Sequence, residues 1–139
     1  MTAVFKLLFV TTILLFVSHI NAQESELSRI ADTFVYQIVK CAHLQRKECL
    51  SNQFADTFEI TTYGEKILEK AAFVDALLDS AKQSGNFNIK VNSTARFSSE
   101  NAIVGVIFKE ANKSIPGKLY FYLEKNENGQ FVAKEGIRL

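Results

Sequence analysis

Three residues of the chain, Cys41, His43 and Cys49, have types and a spacing that could support chemistry. Cysteine and histidine bind structural zinc, and a thiolate beside an imidazole is the arrangement of a nucleophilic cysteine. A zinc site needs a fourth ligand, and none is evident nearby. Residues two apart on a helix point to different faces, which disfavours a Cys41–His43 catalytic pair. We therefore predict a Cys41–Cys49 disulfide, no metal site and no cofactor.

The amino terminus has the layout of a secretory signal peptide, which fits the disulfide. One cation, Lys6, precedes an apolar run over residues 7–17, and a polar break and the small residue Ala22 follow. A membrane-spanning helix needs about 20 apolar residues, roughly twice this run, so an uncleaved anchor is the weaker alternative. We predict a signal peptide over residues 1–22 and one secreted, extracellular domain over residues 23–139.

The charges of the mature chain are balanced and interspersed. Loss of Lys6 leaves 15 of the 16 Lys and Arg residues against 15 Asp and Glu residues. Proteins that bind nucleic acid or anionic lipid by charge carry a basic excess, which this chain lacks. We expect no nucleic-acid partner and, after signal cleavage, no membrane association.

Two Asn-x-Ser/Thr sequons, at Asn92 and Asn112, predict N-linked glycosylation of a secreted chain. The residues around Asn92 alternate in polarity, as in a half-buried strand. We expect one face to carry Phe87, Ile89, Val91, Ala95 and Phe97, and the other to carry Asn88, Lys90, Asn92, Thr94 and Arg96. Asn92 should therefore face solvent, and Asn112 lies in a polar stretch before the turn signal Pro116-Gly117.

Helical periodicity dominates the first half of the mature chain. Apolar residues at three- and four-residue steps predict a helix over residues 25–42 with one buried stripe. That stripe comprises Leu27, Ile30, Ala31, Phe34, Val35, Ile38, Val39 and Ala42. A short helix over residues 46–54, an extended segment through Phe58 and Ile60, and a third helix over residues 69–84 should follow. Gly85 is expected to cap the third helix.

The second half has strand patterns. We predict strands over residues 86–97, 102–109, 118–125 and 130–139, with a hairpin turn at Asn128-Gly129. Helices followed by an antiparallel meander indicate an α+β fold, with two or three N-terminal helices packed on a curved antiparallel sheet. The segment from Ile103 to Phe108 is apolar on both faces, which predicts a central strand covered on both sides.

Several local patterns fit this order of elements. They are Leu50-x-x-x-Phe54-Ala55-Asp56-x-Phe58-x-Ile60, Gly64 before the helix that bears Lys70 and Phe73, and Asn128-Gly129-Gln130-Phe131-Val132. Over residues 23–139 the chain resembles the nuclear-transport-factor-2-like family, which includes ketosteroid isomerases and polyketide cyclases. The resemblance implies a cone-shaped sheet around a helix, with an apolar pocket. The expected pocket-lining residues are Phe34, Ile38, Phe73, Leu77, Val91, Phe97, Phe121 and Phe131.

The resemblance also allows a test of catalysis. Isomerases of this fold use a tyrosine on the first helix and acidic residues that face the pocket. Tyr36, the only tyrosine on the predicted first helix, lies about 140° from the centre of the apolar stripe and so faces away from the core. Asp56 and Glu59 could reach the mouth of a pocket and Tyr63 could donate a hydrogen bond there, but acids at the start of a strand are usually solvated. We therefore predict no catalytic residue.

Three functions remain open. The first is a secreted non-enzymatic domain that binds a small apolar ligand or a protein partner. The second is an isomerase- or cyclase-type enzyme that uses the cone pocket. The third is a cystatin-like protease inhibitor, because residues 101–105 distantly resemble the Gln-x-Val-x-Gly hairpin of that family, although the glutamine is absent. Tyr120 and Tyr122 share one strand face, which fits either a homodimer through the sheet or ordinary tyrosines half-buried at a sheet edge.

Overall fold

The computed structural model describes residues 24–139, so the expected signal peptide and its cleavage site lie outside the described residues. The described chain folds into three helices and six strands. In chain order these are helix α1 (residues 24–43), α2 (Lys47–Ser51), β1 (Glu59–Thr62), β2 (Glu65–Glu69), α3 (Lys70–Gln83), β3 (Asn88–Ala95), β4 (Asn101–Lys109), β5 (Lys118–Lys125) and β6 (Phe131–Arg138). The predicted α+β class is confirmed.

Helix α1 buries the stripe that the periodicity predicts. Ala31, Phe34, Ile38 and Ala42 are buried, and Leu27 at the edge of the stripe is partly buried. Burying one large apolar side chain contributes about 1.5–3 kcal/mol, so the stripe fixes α1 firmly on the sheet. The face of the sheet that meets α1 and α3 is called the inner face below, and the opposite face the outer face.

The six strands form one mixed sheet with the order β2-β1-β6-β5-β4-β3. Strands β3 to β6 form the predicted antiparallel meander. Strand β1 pairs in parallel with β6, with Ile60 opposite Gly136, so the sheet is not wholly antiparallel. Strand β2, which was not predicted from the sequence, pairs antiparallel with β1 across a turn in which Tyr63 and Gly64 both have positive φ.

A register shift in β3 changes the faces that alternation predicts. The shift lies between Val91 and Ser93, and beyond it Thr94 is opposite Val104 while Ala95 is opposite Ile103. One extra residue in a strand moves every later side chain to the other face. Ala95 therefore shares the outer face with Ile103, contrary to the expected pattern.

Two further expectations are corrected. Gly85 is not the cap of α3: the helix ends at Gln83, and Ser84 follows it in an extended conformation with its N–H bonded to the Ser80 carbonyl. Strand β4, predicted to be central and covered on both sides, lies second from the β3 edge and is covered on one side only. Val104 and Val106 are buried on the inner face, whereas Ile103 and Ile107 are half-exposed on the outer face because no helix covers it.

Candidate functional site

Phenylalanine rings fill the space between the helices and the inner face. The ring centre of Phe121 on β5 lies 5.4–6.4 Å from those of the rings around it, which are Phe34, Phe54, Phe58, Phe73 and Phe108. All six side chains are buried. Edge-to-face and tilted ring pairs at such distances are attractive beyond the area they bury. The centre of the cone is thus a packed core.

The expected pocket-lining residues divide into three groups. Phe34, Ile38, Phe73, Leu77 and Phe121 lie together in this core. Val91 and Phe131 are half-buried and pack against it. Phe97 lies apart, 76% exposed in the loop after β3, because the register shift ends the predicted alternation before it. A pocket lined by the first two groups stays a prediction.

A cleft of about 450 Å³ lies between α1 and the turn that joins β5 to β6. We call it the α1–hairpin cleft. Its apolar side chains are Ile30, Phe34, Phe131 and Val132, and its uncharged polar ones are Thr33, Gln37, Asn52, Gln53 and Gln130. Glu26, Arg29 and Lys125 add charges. The lining thus combines four apolar side chains with eight polar or charged ones.

Backbone hydrogen bonds hold the walls of this cleft. Ala133 on β6 donates its N–H to the Gln53 carbonyl at 2.9 Å, and the Ala133 carbonyl accepts from the Ala55 N–H at 2.8 Å. In the turn, the Asn126 side-chain oxygen accepts the N–H groups of Asn128 and Gln130, both at 3.0 Å. These contacts join the segment after α2 to the hairpin, so the cleft is largely preformed.

A second cleft, of about 480 Å³, lies between α2, α3 and the start of β1. We call it the α2–α3 cleft. Lys70 lies in it with its ammonium group 2.9 Å from the Phe54 carbonyl oxygen, to which it donates, and 3.7 Å from an Asp56 carboxylate oxygen. Because these oxygens satisfy the ammonium group, Lys70 has a structural role as the tie between α3 and the segment before β1.

Of the four candidate catalytic residues, Asp56 and Glu59 both line the α2–α3 cleft, whereas Tyr36 and Tyr63 lie apart at the surface. Tyr36 is 61% exposed, which confirms that it faces away from the core, and Tyr63 is 88% exposed at the β1–β2 turn. Asp56 is fully exposed. Among the described residues, the fully buried core contains no acid and no tyrosine. The structure therefore does not bring these groups together around the interior.

The two cysteines are joined as predicted. The Cys41–Cys49 disulfide connects the last turn of α1 to α2, with the two Cα atoms 5.7 Å apart. The imidazole of His43 instead lies with Nε2 2.7 Å from the Phe87 carbonyl oxygen, which ties the end of α1 to the start of β3. Across residues 24–139, no group of three or more Cys, His, Asp and Glu side chains is placed to hold a metal ion.

The remaining predicted positions lie at the surface. Asn92 is exposed at the register shift in β3, and Asn112 is half-buried in the loop before β5. Tyr120 and Tyr122 are half-buried on the outer face. No helix within residues 24–139 is long and apolar enough to cross a membrane.

Sequence reasoning missed the α1–hairpin cleft, although one signal was available. Arg29, Thr33 and Gln37 recur every four residues beside the apolar stripe of α1. Such spacing places them in one row on the helix surface, and the structure places all three in the cleft wall. The other wall depends on tertiary contacts that no local pattern reveals.

No family model and no curated protein matches the chain. Solved structures do match it in fold. A nuclear-transport-factor-2-like protein of unknown function from Silicibacter pomeroyi DSS-3 has a TM-score of 0.62 at 15% identity, over 82% of this chain and 95% of that one. A ketosteroid isomerase-like protein from Erwinia carotovora atroseptica has a TM-score of 0.51 at 11% identity, over 81% and 93%.

A third similar structure is a domain of unknown function with a cystatin-like fold from Nostoc punctiforme. Its TM-score is 0.54 at 14% identity, over 79% of this chain and 74% of that one. Identities this low establish shape and do not carry activity from one protein to another. Taken with the order of helices and strands, these matches show that the chain has the nuclear-transport-factor-2-like fold.

Proposed function

We propose that the chain is a secreted, non-enzymatic binding module that holds a small, largely apolar ligand in the α1–hairpin cleft. One observation carries the proposal: phenylalanine rings fill the centre of the cone, while a preformed cleft of about 450 Å³ opens beside them. Small-molecule sites usually measure about 300–1,000 Å³. Ile30 and Phe131 offer an apolar floor, and the amides of the rim offer both donors and acceptors.

Secretion is supported by two independent features. Residues 1–22 have the layout of a signal peptide. The Cys41–Cys49 disulfide between α1 and α2 fits an oxidising compartment, because cytosolic thiols are kept reduced.

A non-enzymatic role is supported by the positions of the candidate groups. Tyr36, Asp56 and Tyr63 are exposed at separate places, whereas acid–base catalysis needs groups that converge on one reacting atom. An inhibitory loop is disfavoured for a similar reason. Residues 101–105 lie in β4, where all five pair with β5 and residues 103–105 also pair with β3, so this backbone is not free to enter a protease cleft.

Filling each cleft in turn tests the binding proposal. Thr33 and Thr57 are both exposed threonines, and they line the α1–hairpin cleft and the α2–α3 cleft respectively. We expect wild-type protein to bind the apolar sulfonate 1-anilinonaphthalene-8-sulfonate saturably, followed by its fluorescence. Thr33→Trp should weaken this binding at least about tenfold, and the matched control Thr57→Trp should not. Equal binding by all three proteins, with native circular dichroism, would overturn the proposal.

A second copy of the chain is proposed as the partner of the outer face. Tyr120 and Tyr122 lie there beside half-exposed Ile103, and Lys118 and Glu124 lie at opposite ends of the same strand. When two such faces pack antiparallel, each lysine meets the glutamate of the other copy, so the patch complements itself in charge. The residue pattern thus favours a two-fold dimer.

Sedimentation equilibrium tests this partner. Tyr120→Lys places a cation at the centre of the patch and should convert a dimer to a monomer. Tyr36→Lys makes the same change on the exposed side of α1, across the sheet from the patch, and should leave the dimer intact. A wild-type protein that remains monomeric at high micromolar concentration would exclude the dimer.

A further inference from the structure

The two edges of the sheet, β2 and β3, differ in how they are protected. An edge strand exposes unpaired N–H and C=O groups, onto which the edge of another chain can pair and aggregate. Proteins limit this with short strands, charged side chains, bulges or a covering group.

Strand β2 is protected by its own residues. It has only five residues, of which Glu65, Lys66 and Glu69 are charged. Lys66 donates to Glu69 at 2.7 Å, and this hydrogen bond raises the pKa of Lys66 and lowers that of Glu69, so both groups stay charged. Helix α3 begins at the next residue. A strand from another chain meets charges and then a helix at this edge.

Strand β3 has less protection of this kind: it contains one bulge, at Asn92, and few charges. It is eight residues long, and Lys90 is its one charged side chain. Four consecutive residues, 92–95, are exposed. Valine, isoleucine and threonine in this strand favour β structure, so its sequence suits pairing with another chain. If the β3 edge is not to pair with another chain, a group other than a charged side chain must cover it.

The register shift places Asn92 where a covering group would act. Val91 is opposite Val106 and Ser93 is opposite Gly105, so Asn92 between them has no partner on β4. Asn92 is exposed, and none of the hydrogen bonds among the described residues uses its side-chain amide. Asn92-Ser93-Thr94 is also a complete glycosylation sequon.

We propose that Asn92 carries an N-linked glycan whose function is to cover the β3 edge and prevent edge-to-edge pairing. The proposal rests on the secretion proposed above. The transfer uses a lipid-linked diphosphate oligosaccharide as donor. Asn92 Nδ2 forms a bond to the anomeric carbon of the sugar, and the amide nitrogen loses one proton. The bond from that carbon to the diphosphate oxygen breaks, and its electrons leave with the lipid diphosphate. A bulky, hydrated glycan at mid-strand then blocks a second strand.

The other sequon provides the matched control. The Asn112 side-chain oxygen accepts the N–H of Ser114 at 2.9 Å and its hydroxyl at 3.0 Å, and the Asn112 N–H donates to buried Ser80 at 2.7 Å. Asn112 thus belongs to a compact loop and lies at neither edge of the sheet. A glycan there, present or absent, should not affect edge pairing.

The experiment uses the full chain secreted from a eukaryotic cell, with glycan sites located by peptide mass spectrometry before and after enzymatic deglycosylation. We expect a glycan on Asn92. Asn92→Gln and Thr94→Ala should each abolish it, and Thr94→Ala does so while leaving the asparagine in place. In the Tyr120→Lys background, which removes the proposed face dimer, both variants should lose at least about half of their monomer at high micromolar concentration. Asn112→Gln should lose none.

Two results would overturn the proposal. One is an unmodified Asn92 in the exported protein, and the other is a variant without the glycan that remains as monomeric as wild type. Failure of secretion is a distinct result, because the chain then stays in the cell with residues 1–22 attached. In that case residues 23–139 are exported behind a foreign signal peptide, and the same two measurements still decide whether the glycan covers the edge.

Discussion

The two faces of the sheet are built by alternate residues of the same strands, yet they have different roles. On β5, Leu119, Phe121 and Leu123 are completely buried against the helices, whereas Tyr120 and Tyr122 between them are only half-buried. Six phenylalanine rings pack together on the inner face. We therefore expect the residues of the inner face to contribute more to the stability of the fold than those of the outer face.

The largest expected effect comes from truncating the inner face. Phe121→Ala should lower the free energy of unfolding by about 3–5 kcal/mol, because it leaves a cavity at the centre of the ring cluster. Tyr122→Ala, the neighbouring change on the outer face, should cost about 1 kcal/mol or less. Urea unfolding measures both. Similar losses for the two variants would mean that the faces do not differ in stability as proposed.

Removal of the disulfide should have the next largest effect. The Cys41–Cys49 bond closes a short loop and holds α2 against the end of α1, which covers the inner face. Replacing both cysteines by serine should cost about 2–3 kcal/mol, chiefly by freeing the unfolded chain. Thermal unfolding with and without a reductant checks this: the reductant should lower the midpoint of the wild type and leave that of the variant unchanged.

Gly105 tests how tightly the outer face is packed. A Cβ at this position would meet the Ser93 hydroxyl oxygen and lie 3.0 Å from the Tyr120 ring. Gly105→Ala should therefore cost about 1–3 kcal/mol. Gly85→Ala, where a Cβ has open space, is the control, and adding Ser93→Gly should recover part of the loss. An unchanged stability for Gly105→Ala would show that the outer face is looser than described.

The smallest effect concerns ionisation on the outer face. Tyr122 donates a hydrogen bond to the Glu124 carboxylate at 3.0 Å, which raises the pKa of the phenol, and partial burial and the charge of Glu124 add to this. This hydrogen bond therefore adds to the free energy of unfolding below the ordinary tyrosine pKa of about 10. The contribution is lost as pH rises through the raised pKa of Tyr122. In a tyrosinate absorbance titration, Tyr122→Phe should remove absorbance that develops above the ordinary tyrosine range. Glu124→Gln should lower the pKa of Tyr122, and a Tyr122→Phe variant that instead loses absorbance within the ordinary range would contradict the assignment.

The parts of the fold that were predicted correctly have strong local patterns. The stripe of α1 predicted its buried face, and alternation gave β5 its observed bounds of Lys118 and Lys125. Strand β2 was missed because its charged residues resemble a loop, and its strand conformation depends on pairing with β1. Alternation also could not show the extra residue at Asn92, since one insertion leaves the polarity pattern plausible on either side.

The candidate site was less predictable than the fold. Periodicity showed that Phe34, Phe73 and Phe121 point inward, but it could not show that their rings meet and close the interior. That outcome depends on helix placement to within a few ångströms. The α1–hairpin cleft likewise brings Thr33 and Gln130 together from distant parts of the sequence.

The parallel pairing of β1 with β6 has a consequence for synthesis in the cell. Ile60 leaves the ribosome long before Gly136, so β1 cannot pair with β6 until the intervening chain has been synthesised. The Cys41–Cys49 bond joins residues that are close in the sequence, so it can form before the strands have been synthesised. We therefore expect folding to begin with an oxidised helical segment, and the sheet to close as the last step, after translation of β6.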